Sequence, residues 1–91
     1  MQITNLEDLA AVLAKAIEND ETLILTTTEK YCEVAKTGTL KKFKFALAMF
    51  NNELKIGFAF FEGDSEPEWM EDIGAQYFTE TYLAQQLESE F

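Results

Sequence analysis

Four carboxylates alternate through Glu62, Asp64, Glu66 and Glu68. Hard divalent cations take oxygen ligands, so such a run invites a calcium or magnesium reading. The spacing lacks the central glycine and closing glutamate of an EF-hand loop, and Pro67 interrupts it, which makes a solvated loop the better expectation. Cys32 is the single cysteine, and neither a second thiol nor a histidine is present to complete a zinc site or a nucleophile pair. With no histidine and no arginine, Ser-His-Asp and Cys-His arrangements cannot exist, nor can a bidentate phosphate clamp. Gly38, Gly57, Gly63 and Gly74 are too scattered to cradle a phosphate. We therefore expect a non-catalytic chain with no cofactor and no metal.

The remaining chemistry is charge. Asp and Glu number 17 against 7 lysines, a formal charge of -10. Residues 1–35 contribute -5, residues 36–61 contribute +4, and residues 62–91 contribute -9, so a basic middle lies between two acidic arms. Lys41, Lys42 and Lys44 form the basic cluster. Direct nucleic-acid binding would need more positive charge than this and would work against the acidic remainder. The lysines are better read as internal compensation, with Lys41 opposite Glu62. The carboxyl-terminal acids, Glu62, Asp64, Glu66, Glu68, Glu71, Asp72, Glu80, Glu88 and Glu90, supplemented by Glu18, Asp20 and Glu21, are the candidate protein-binding residues.

Elements must position these groups. Thr4 with Glu7, and Asn5 with Asp8, are overlapping capping boxes, and Leu6, Leu9, Ala10, Leu13 and Ile17 follow at helical spacing, predicting a helix that stops near Asn19. Residues 22–28 are rich in threonine and aliphatics and predict a strand. Residues 29–37 fit either a short helix or a returning strand, and the bordering threonines favour the strand. In residues 41–61, Phe43, Phe45, Leu47 and Met49 alternate with smaller or charged residues, as do Leu54, Ile56, Phe58 and Phe60 beyond Asn51-Asn52. This predicts a two-residue hairpin pairing Phe50 with Glu53, Phe45 with Phe58 and Phe43 with Phe60, with small residues Ala46, Ala48, Gly57 and Ala59 on the opposite face. Ser65 with Glu68, Pro67 between them, and Trp69, Met70, Ile73 and Tyr77 predict a helix over about 66–88, broken near Phe78, where Thr79 or Thr81 could re-cap it.

The expected fold is a single α+β domain over 1–91: an antiparallel sheet of three to four strands in the order α-β-β-β-β-α, with the amino- and carboxyl-terminal helices packed on one face. The first residues lack a signal peptide's basic start, no apolar run approaches the roughly 20 residues of a membrane span, and a lone cysteine suits a reducing compartment, which together predict a cytoplasmic protein. In general character the chain resembles toxin neutralisers, immunity proteins and anti-defence proteins of mobile elements, including anti-CRISPR and anti-restriction inhibitors, although no family motif is present. The leading expectation is an acidic inhibitor that mimics nucleic acid and occludes the basic surface of a nucleic-acid-binding enzyme, effector complex or toxin. The alternative is an adaptor or chaperone acting through an apolar interface, with a homodimer among its forms.

Overall fold

A computed structural model describes residues 3–63 and 66–91. Helix α1 (Leu6–Ile17) leads into five strands, β1 (Leu23–Thr27), β2 (Cys32–Lys36), β3 (Lys41–Phe50), β4 (Glu53–Glu62) and β5 (Trp69–Gly74). A single 3-10 turn at Ala75–Tyr77 then precedes helix α2 (Glu80–Glu90). The strands lie in sequence order and every neighbouring pair is antiparallel, so the sheet is a meander.

Of the two overlapping amino-terminal caps, the second is used. Asn5 accepts from the Asp8 amide, and the Asp8 carboxylate reaches back to the Thr4 amide at 3.0 Å and hydroxyl at 2.7 Å. These bonds, the Thr4 hydroxyl first, hold the Asp8 carboxyl below its ordinary pKa. The ambiguous segment after β1 is a strand: Thr28 closes a tight turn by accepting from the amides of Lys30 and Tyr31, and β2 returns along β1. The central hairpin keeps the register set by its alternation, with Phe50 facing Glu53, Phe45 facing Phe58 and Lys41 facing Glu62. Asn51 and Asn52 take φ of 51° and 65°, the left-handed conformation that a type I′ turn needs at both loop positions.

The carboxyl-terminal third corrects the expected fold. The sheet has five strands, not three or four, because residues 69–74 form β5 instead of the first turns of a helix. The Ser65–Glu68 cap does not start a helix: Ser65 lies outside the described residues, and the Glu68 amide donates to the Phe60 carbonyl at 2.8 Å, opening the β4–β5 ladder. Trp69, Met70 and Ile73 satisfy a period of 3.6, but Trp69 and Ile73 also satisfy a period of 2. A ten-residue β4 needs hydrogen-bonding partners along its outer side, and that non-local demand decides between the periods. Helix α2 is capped by Thr79, whose hydroxyl accepts from the Tyr82 amide.

The core lies between one face of the sheet and the two helices. Leu9, Leu13 and Ile17 of α1, Leu83 and Leu87 of α2, and Val34, Phe43, Phe45, Ile56, Phe58 and Phe60 of the sheet are buried together. At about 1.5–3 kcal/mol for each large apolar side chain fully buried, this cluster is the main source of stability. Phe43 is its aromatic centre, with ring centroids of Phe60 at 5.2 Å, Phe91 at 5.3 Å and Trp69 at 5.7 Å. Phe78 packs edge-on against Phe45 at 5.8 Å, which fixes the break between β5 and α2. Among the described residues, no helix is long and apolar enough to cross a membrane.

Candidate functional site

One end of the sheet collects most of the predicted acids. Strand β1 starts there, opposite the end of β2, since Leu23 pairs with Lys36; β3 starts there too, since Lys41 pairs with Glu62 at the end of β4. The loop from α1 brings Glu18, Asp20 and Glu21 to this end, and the β4–β5 connection brings Glu62, Glu66 and Glu68. The last turn of α2 adds Glu88 and Glu90, because the Lys41 ammonium donates to the Glu90 carbonyl and Trp69 Nε1 donates to the Glu90 carboxylate at 3.2 Å. Asp20 accepts from the hydroxyl and amide of Thr22, and these bonds, with a smaller pull from Lys36, hold its carboxyl below the ordinary value.

Other predicted residues are placed elsewhere. Asp72 sits mid-strand in β5, 3.6 Å from the Lys55 ammonium. Glu71 neighbours Tyr82 on the helix-covered face, where burial first and Glu71 second push the Tyr82 hydroxyl pKa up. Glu80 lies in the first turn of α2, where a carboxylate favours the helix dipole. Asp64 lies outside the described residues. Among those described, no three His, Cys, Asp or Glu side chains converge to hold a metal ion.

Lysine roles were partly missed in the sequence. Lys36 Nζ donates to the Phe91 carbonyl and Lys41 Nζ to the Glu90 carbonyl, both at 3.1 Å. Carbonyls in the last turn of a helix lack intrahelical donors, and cations are favoured at that pole, so these lysines serve as a carboxyl-terminal cap for α2. Lys44 lies 5.0 Å from the Tyr31 ring centre and 5.1 Å from that of Phe61. Cys32 is fully buried and burial pushes its thiol pKa up, the reverse of what a nucleophile needs.

The second surface is the sheet face turned away from the helices. Ala46, Ala48, Gly57 and Ala59 floor a shallow groove of about 510 Å³, with Tyr31, Phe50, Phe61 and Met70 around it. The floor was legible in the hairpin alternation. Met70 was not, because its strand was read as a helix. No protein-family model, curated protein or solved structure matches this chain. Function therefore has to be argued from these two surfaces.

Proposed function

We propose that this is a non-catalytic, acidic, cytoplasmic protein that acts by binding a basic protein surface, of the kind a nucleic-acid-binding enzyme or toxin presents to its polyanion. The observation that carries the reading is the convergence of three acid-bearing segments on one end of the sheet, while Lys36 and Lys41 beside them are turned onto helix carbonyls. Five strands at about 4.8 Å spacing spread these carboxylates over about 19 Å, a span suited to a groove lined with lysine and arginine. Mechanistically, the carboxylates steer the encounter, compete for the side chains that would hold phosphates, and occlude the groove. The single buried Cys32 is compatible with a reducing compartment.

Affinity capture from lysate of the native host, with each captured protein then produced and tested pure, examines this reading. The expected partner is a basic protein whose binding to the triple variant Glu62→Lys, Glu66→Lys, Glu68→Lys is at least tenfold weaker. A pure partner that binds this variant as well as the unaltered chain would remove the acidic end from the account. A second reading, an adaptor working through an apolar interface, is favoured by one observation: Phe50 and Met70 stand 53% and 72% exposed on the open sheet face.

A further inference from the structure

The uncovered sheet face carries Ile24 on β1, Lys44 and Phe50 on β3, Phe61 on β4 and Met70 on β5, all on the side opposite the helices by strand alternation. A compact monomer of this mass exposes about 5,400 Å². This chain exposes 5852 Å², and Ile24, Phe50 and Met70 are each more than half exposed. We propose that two copies of the chain meet on this face, sheet against sheet, in a twofold homodimer. This is independent of what the acidic end binds.

Shape is the first argument. A twofold interface is self-complementary, so one patch must hold both projections and recesses. Here Phe61 and Phe50 project on either side of a floor made of Ala46, Ala48, Gly57 and Ala59. Gly57 is central to that floor, and a Cβ built there meets nothing within 4 Å. Packed sheets lie about 10 Å apart with their side chains interdigitated, which needs such an alternation of large and small residues.

Charge is the second. Two chains of charge -10 repel one another across most surfaces. On this face Lys42, Lys44 and Lys55 balance Glu33, Glu53 and Asp72, and Lys55 already pairs with Asp72. The balanced apolar face is therefore where a second copy, itself acidic, meets the least repulsion. Area is the third: β2, β3, β4 and β5, with five, ten, ten and six residues at about 3.3 Å by about 4.8 Å each, give about 490 Å² per copy, or about 980 Å² for the pair. That falls in the small, transient class of interfaces and fits a dimer that exchanges.

Sedimentation equilibrium of the intact chain over about 5–500 μM, at about 0.15 M and about 1 M sodium chloride, tests the proposal. The expected result is a mass approaching twice the 10.4 kDa of one chain, with tighter association at the higher salt as repulsion is screened. Gly57→Lys makes the chain less acidic, yet it fills the floor with a charge and is expected to weaken the dimer at least tenfold while the circular dichroism spectrum is retained. Ala48→Lys, at another floor position, is expected to do the same. A single-chain mass throughout the range in both salts would overturn the proposal. So would a dimer that neither substitution weakens, since another surface would then be holding it.

Discussion

Lys36 and Lys41 determine how the carboxyl-terminal segment stays on the sheet. The Lys41 ammonium meets the Glu90 carbonyl at the end of α2, the Lys36 ammonium meets that of the cap residue Phe91, and the Phe91 ring enters the cluster around Phe43. Lys41→Ala is expected to lose about 1 kcal/mol, a fall of about 4–8 °C in melting temperature for a chain of this size. Differential scanning calorimetry reads this directly. Cys32 gives the second test at this scale. Its thiol pKa is raised by burial, so the folded chain resists ionising it: the stability gained is full below the ordinary thiol pKa and is lost as pH rises through the raised one. A thiol reagent at neutral pH is therefore expected to label Cys32 only after denaturant unfolds the chain, and Cys32→Ala to reduce the loss of stability on the alkaline side.

Elements whose neighbours in sequence are also their neighbours in space were the legible ones. Asn5 and Asp8 announce α1 within one turn of chain, and the alternation from Phe43 to Phe60 sets the hairpin register because both strands and the turn are local. The tight turn itself can be improved. Asn52 holds φ of 65°, which glycine adopts without a Cβ penalty, so Asn52→Gly is expected to raise stability by about 0.5 kcal/mol in chemical denaturation. Strand β5 was misread because Trp69 and Ile73 fit two periods at once, and only the unpaired side of β4, a demand made by residues 55–60, selects the strand. The same error hid the β5 side of the open face, since Met70 and Asp72 reach it only from a strand. The acidic blocks were visible in the sequence. Their gathering at one end was not, because it depends on how β1, β3, β4 and α2 align.

At the scale of the molecule, the layout separates two kinds of surface. Helices cover one side of the sheet, the other side is apolar and close to neutral, and one end carries carboxylates from three separate segments. Net charge of -10 on a chain this small favours solubility and fast encounter with basic partners, and the same charge discourages direct contact with nucleic acid. The gathered acids make salt the natural probe. The most direct measurement is the affinity of the purified chain for its captured partner, by titration calorimetry, between about 0.05 M and about 0.5 M sodium chloride. A fall of at least tenfold across that range, largely abolished in the triple variant Glu62→Lys, Glu66→Lys, Glu68→Lys, is the result predicted. An affinity that stays constant with salt would contradict it.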